Sequence, residues 1–114
     1  MSPKHFLNFK DFSKEFLYSI IERGLELKSL KNLPKTLENK SLGLIFEKPS
    51  TRTRVSFEIG VQSLGGNSIF LSSSDLQISR GEPVSDTARV LSSMLDAVVI
   101  RTANHELLDI YSQN

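Results

Sequence analysis

A chain of 114 residues is read as one domain with a modest core. Its 14 basic and 13 acidic residues leave a formal net charge of +1, which argues against a general nucleic-acid binder or a membrane-surface binder, since either carries a basic excess. No cysteine is present, so disulfides and thiolate metal sites are excluded, and a reducing compartment fits.

The N-terminal Met-Ser-Pro-Lys-His-Phe stretch lacks the apolar core of a signal peptide. The longest apolar runs are about five residues, far below the ~18 needed to span a bilayer, so the expectation is a soluble, cytoplasmic protein. Ser13 suits an N-cap, with Glu15 in the first turn. Phe16, Leu17, Ile20, Ile21, Leu25, Leu27 and Leu30 then recur at helical spacing and predict an amphipathic helix over 14–31. Residues 32–40, with Pro34, form a polar connector. The run Leu42-Gly-Leu-Ile-Phe46 suits a short strand covered on both faces.

Residues 53–64 predict a helix with Val55, Ile59 and Val61 or Gln62 near one side, closed by Gly65 and Gly66. A second strand follows at 68–72. Residues 73–84 are polar, contain Gly and Pro and show no period, which is the pattern of a long functional loop. Asp86 is placed to cap a helix over 87–95, with Ala88, Leu91 and Leu95 inward. Residues 97–100 predict a third strand, and His105 to Tyr111 begin a further helix. This alternation predicts an α/β fold of three layers, a parallel sheet with helices on both faces. With no strand closing the sheet after Ile100 and a helical pattern still running at Asn114, the expectation is part of a larger protein.

In an open α/β sheet, ligands bind at the carboxyl ends of the strands. Three features fall there: Ser50-Thr-Arg-Thr53 after the first strand, the loop with Gln77 and Arg80 after the second, and Arg101 after the third. Backbone N–H groups at a helix start have no intrahelical partner, so Ser50, Thr51, Arg52 and Thr53 can surround an anion with N–H groups, hydroxyls and a guanidinium fork. Arg52 and Arg54 diverge by about 200° on a helix, so both cannot face one ligand. Arg52 is assigned to the anion, and Arg54 to a structural pair, with Glu58 at i+4 as one candidate partner. On spacing alone, an ordinary capped helix start or a phosphoacceptor site is an equally fair reading of the cluster. No acid–base pair and no metal-ligand spacing is evident, so no metal and no cofactor are expected.

The run Phe46-Glu-Lys-Pro-Ser-Thr-Arg-Thr-Arg-Val-Ser-Phe-Glu58 resembles the carbamoyl-phosphate signature of the aspartate/ornithine carbamoyltransferase family. Leu76-Gln-Ile-Ser-Arg-Gly-Glu-Pro83 with Asp86-Thr-Ala-Arg-Val-Leu91 resembles the family's next motif, and Ile100-Arg-Thr102 the third. The resemblance covers essentially the whole chain, implying a carbamoyl-phosphate-binding domain over 1–114. It is closer to the ornithine-using members. Lys48 stands before Pro49 where the aspartate enzymes have Phe-Glu-Pro, and the 73–84 loop carries Gln77 and no lysine.

The resemblance implies that Ser50, Thr51, Arg52 and Thr53 hold the phosphate and that Arg101 binds carbamoyl phosphate and polarises its carbonyl. Gln77 would reach carbamoyl phosphate from the adjacent subunit of a homotrimer. The implied reaction is attack by the δ-amine of L-ornithine on that carbonyl, giving L-citrulline and phosphate. The family's His-Pro-x-x-Gln motif, its ornithine-binding Asp and Ser-Met-Gly segments and its His-Cys-Leu-Pro motif are not in these residues. The expectation is that this chain carries the carbamoyl-phosphate half-site, lacks the ornithine-binding domain and is inactive alone. The alternatives are part of an aspartate carbamoyltransferase, or a non-catalytic anion-binding or oligomerisation module.

Overall fold

The computed structural model describes residues 5–47, 50–72, 84–102 and 105–114. The chain divides into two compact units, Met1–Leu33 and Pro34–Asn114. The first holds one helix, α1 (Lys14–Ser29). Ser13 is its N-cap, in extended backbone, and the Ser13 side chain accepts a hydrogen bond from the Phe16 N–H at 3.1 Å. Before and into the helix, the rings of Phe6, Phe12 and Phe16 stack in sequence, with centroids 4.6 and 5.0 Å apart. The expected apolar positions lie on the helix, yet none of its residues is buried. Periodicity decides which residues share a face; burial needs a second surface to cover it.

The second unit holds the sheet. Its elements are β1 (Ser41–Phe46), α2 (Thr51–Ser63), β2 (Asn67–Ser72), α3 (Val84–Met94), β3 (Ala97–Arg101) and α4 (His105–Gln113). The three strands are parallel, in the order β2-β1-β3. The central strand is covered on both faces, as its unbroken apolar run implied, and Gly43 to Phe46 are all buried.

Alternation along the strands sorts the two faces. Ile45 is paired with Leu71 and Ile100, and these pack with Val98 and with Ala88 and Leu91 of α3 and Leu107 and Tyr111 of α4. The opposite parity carries Phe46 and Phe70, whose rings meet edge-on at 5.8 Å, and Arg54 of α2 lies over Phe70. Helices therefore cover both faces, α3 and α4 on one and α2 on the other, the α/β arrangement expected from the alternation.

Several local expectations are refined. The second helix begins at Thr51, two residues before the predicted start, because nothing in Thr51-Arg52 resists helical dihedrals. It ends where expected: Gly65 takes φ +89, its N–H reaches the Gln62 carbonyl at 3.0 Å, and the Gly66 N–H reaches the Val61 carbonyl at 2.9 Å. This pair of hydrogen bonds around a left-handed glycine closes a helix C-terminus. On α2 only Val61 is buried, whereas Val55 and Ile59 are half exposed. Asp86 does not cap the third helix. That helix starts at Val84, so Asp86 sits in the first turn and accepts from Arg89 at 3.3 Å. Ala88 is fully buried, as expected.

Candidate functional site

The strand order sets where a crevice opens. Strands β1 and β3 are neighbours, but β1 leads into α2 on one face and β3 leads into α4 on the other. Adjacent connections that leave in opposite directions part at the carboxyl edge of the sheet, and the gap between them is where ligands sit in open α/β folds. The backbone joins the two strand ends here: the Glu47 N–H donates to the Arg101 carbonyl at 3.1 Å.

The start of α2 lies at this edge. The first intrahelical bond runs from the Arg54 N–H to the Ser50 carbonyl at 2.9 Å. The N–H groups of Thr51, Arg52 and Thr53 thus precede the helical ladder. Ser50 occupies the cap position, with φ −151 and ψ 81, but its side chain makes no capping bond. Its hydroxyl instead donates to Thr53 Oγ1 at 3.0 Å. No acidic residue lies in the first turn to offset the positive end of the helix dipole, worth about half an elementary charge. An N-terminus whose first N–H groups have no partner among the described residues, and whose first turn carries no acid, is suited to an anion; Glu47 is the nearest acid in sequence and lines the cleft beside it.

Thr53 ties the third strand to this helix start. Arg101 Nη1 donates to Thr53 Oγ1 at 3.2 Å, so one oxygen, half-buried, accepts from both Ser50 and Arg101. With both lone pairs occupied, the Thr53 hydroxyl proton is left to donate outward. Arg52 is exposed and, among the described residues, has no hydrogen-bond or ion partner. Its guanidinium is not committed to the scaffold. Arg54 is: its Nε donates to Glu58 Oε1 at 3.2 Å and its guanidinium lies over the Phe70 ring.

A cleft of about 480 Å³ opens beside the helix start, with Ser50, Thr51 and Arg54 on the helix side and Phe46, Phe70 and Ser72 on the sheet side. Glu47, Val55 and Glu58 complete the lining; of the expected site residues it includes Ser50 and Thr51 and not Arg52, Thr53 or Arg101. Hydrogen bonds join Ser50, Thr53 and Arg101, and Arg52 stands exposed on the first turn of α2. Gln77, Arg80, Lys48 and Pro49 lie outside the described residues. Among the described residues no three His, Cys, Asp or Glu side chains cluster as a metal site, and no helix is long and apolar enough to cross a membrane.

Two features escaped the sequence reading. Thr53 as the shared acceptor of Ser50 and Arg101 depends on a pairing between positions 48 residues apart, which no local pattern encodes. Phe70 under Arg54 had a weak signal: its strand parity opposite Ile69 and Leu71, which places it on the α2 face.

Comparison with known proteins agrees along the whole chain. A family model described as the carbamoyl-P binding domain of aspartate/ornithine carbamoyltransferase matches residues 4–114. Ornithine carbamoyltransferase of Methylococcus capsulatus is 48% identical over 113 residues, covering 99% of this chain and 38% of its own length. The anabolic ornithine carbamoyltransferase of Pseudomonas aeruginosa is 55% identical over 111 residues, covering 95% of this chain and 36% of its own. The crystal structure of anabolic ornithine carbamoyltransferase from Campylobacter jejuni superposes with a TM-score of 0.90 at 50% identity, covering 97% of this chain and 36% of that one. This chain thus spans little more than a third of the length of the relatives it matches.

Proposed function

This chain belongs to the aspartate/ornithine carbamoyltransferase family, matching its carbamoyl-phosphate-binding domain, and on that premise we propose that residues 1–114 supply the carbamoyl-phosphate half of a carbamoyl-transfer site. The transfer is to the δ-amine of L-ornithine, giving L-citrulline and phosphate. The observation that carries this reading is the open N-terminus of α2 with Arg101 hydrogen-bonded into it through Thr53.

The roles in this reading come from the family resemblance, and the geometry of the helix start supports them. The phosphate accepts from the N–H groups of Thr51, Arg52 and Thr53, from the Thr51 and Thr53 hydroxyls and from the Arg52 fork; the Ser50 hydroxyl joins them by turning its single proton from Thr53 Oγ1 to the ligand. Arg101, held at the end of β3, faces the carbamoyl oxygen and stabilises the negative charge that develops there under attack. The same donors then stabilise the departing phosphate. Charge stabilisation by prepositioned donors and alignment of two substrates suffice for this step, with no covalent enzyme intermediate.

Ornithine as the acceptor is supported by Lys48 before Pro49, by a 73–84 segment without lysine, and by the names of the relatives. Ornithine itself is bound by a second domain of the kind that these 114 residues do not include. The assembly that goes with this reading is a homotrimer in which Gln77 reaches the carbamoyl phosphate of a neighbouring subunit, in the cytoplasm. The absence of cysteine supports a reducing setting.

Two measurements test the proposal. Calorimetric titration of the chain with carbamoyl phosphate is expected to show binding, and a chain that binds none refutes the half-site. Citrulline formation by the chain extended with its second domain is expected with ornithine; carbamoyl transfer to aspartate in its place refutes the acceptor assignment.

A further inference from the structure

The cleft contains one side-chain arrangement that the phosphate half-site does not use. The guanidinium carbon of Arg54 lies 3.7 Å from the centroid of the Phe70 ring, well inside the range in which a cation is attracted to an aromatic face. The ring of Phe46, itself buried, meets Phe70 edge-on at 5.8 Å. The Arg54 Nε also donates to Glu58, but the two side chains are 44% and 33% exposed, and an ion pair so solvated holds a long side chain only weakly. The ring supplies the second restraint. Glu58 stands one turn further from the helix start than Arg54, about 6 Å along the axis. The pair is therefore ordered with its positive member nearer the open N-terminus, and Arg54 lines the same cleft as Ser50 and Thr51.

We propose that Phe70 is a positioning residue: its ring holds the Arg54 guanidinium beside the start of α2, where that charge adds to the attraction for a bound phosphate. The role rests on reading α2 as the phosphate end of a carbamoyl-phosphate site. Arg54 stays part of the scaffold and, diverging from Arg52, makes no contact with the ligand; its share is the field of a charge held in place, and Phe70 gains a function that its burial alone does not require.

The test is a double-mutant cycle on the full chain, read by calorimetry with carbamoyl phosphate as the probe. Phe70→Leu keeps an apolar side chain but removes the aromatic face, and is expected to weaken binding roughly two- to five-fold. Phe70→Tyr keeps the face and is expected to bind within about two-fold of the parent. In an Arg54→Gln background, Phe70→Leu is expected to have no further effect. The second readout needs no ligand: the Arg54 Nε–H resonance is expected upfield, shifted by the ring current, in the parent and in Phe70→Tyr, and unshifted in Phe70→Leu. An unshifted resonance in the parent overturns the proposal. So does a Phe70→Leu effect of equal size with and without Arg54, which marks a purely structural role. A parent that keeps the shifted resonance but binds no carbamoyl phosphate overturns the half-site reading, and the positioning role with it. Binding that is indifferent to Phe70 overturns the positioning role alone.

Discussion

Two helices of this chain are each preceded by a serine, and the two serines are used in opposite ways. Ser13 sits in extended backbone and accepts from the Phe16 N–H, closing one of the orphan donors at the start of α1. Ser50 sits at φ −151 and ψ 81, leaves the first N–H groups of α2 alone, and gives its hydroxyl to Thr53. The first turn of α1 also carries Glu15, while that of α2 carries no acid. One N-terminus is neutralised by its own sequence; the other keeps its donors and its positive field. A cap of this kind is worth about 1 kcal/mol, so leaving it out at α2 costs stability that a bound anion restores.

The sharpest way to break the comparison is Arg52→Ala. A charge-assisted hydrogen bond to phosphate contributes about 1.5–3 kcal/mol, so carbamoyl phosphate affinity is expected to fall roughly ten- to a hundred-fold, measured by calorimetry. Undiminished affinity removes Arg52 from the site. Thr53→Val is next. It keeps the shape of the side chain and deletes the oxygen shared by Ser50 and Arg101, and a loss of about tenfold is expected, consistent with one buried-edge hydrogen-bond acceptor and one donor to the ligand.

Ser13→Ala is expected to cost about 1 kcal/mol of stability in urea unfolding, with no change in ligand affinity. Ser50→Ala is expected to invert that pattern. Stability changes by less than about 0.5 kcal/mol, because no cap is lost, while affinity drops roughly two- to five-fold. If Ser50→Ala destabilises as much as Ser13→Ala and leaves affinity intact, the two helix starts are alike and the contrast fails.

The sheet shows how far local patterns reach. Leu42-Gly-Leu-Ile-Phe46 announced a strand covered on both faces, and Gly43 to Phe46 are buried without exception. Gly65-Gly66 announced a helix stop, and the left-handed glycine is there. The prediction at Asp86 failed by the margin usual for helix ends: residues 84–86 have no strong breaker after Pro83, so the helix begins earlier and takes Asp86 into its first turn. The apolar stripe of α1 was correctly spaced and remains unburied in this chain, because a period describes a face and not what covers it.

The sequence by itself determined the alternation of strands and helices, the helix start that suits an anion, and the family, through three motifs in order. Those are carried by neighbours along the chain: turn residues, side-chain periodicity, and hydroxyl and guanidinium groups within four positions. Tertiary structure alone decided that Arg101 donates to Thr53, that Ser50 forgoes its cap, and that Phe70 lies under Arg54. The first and last of these depend on strand order and register, with β1 between β2 and β3 and Phe46 level with both Ser72 and Arg101, while the Ser50 hydroxyl turns to Thr53 only three residues on. Register is set by packing both faces of the sheet at once, and no short stretch of the chain contains that information.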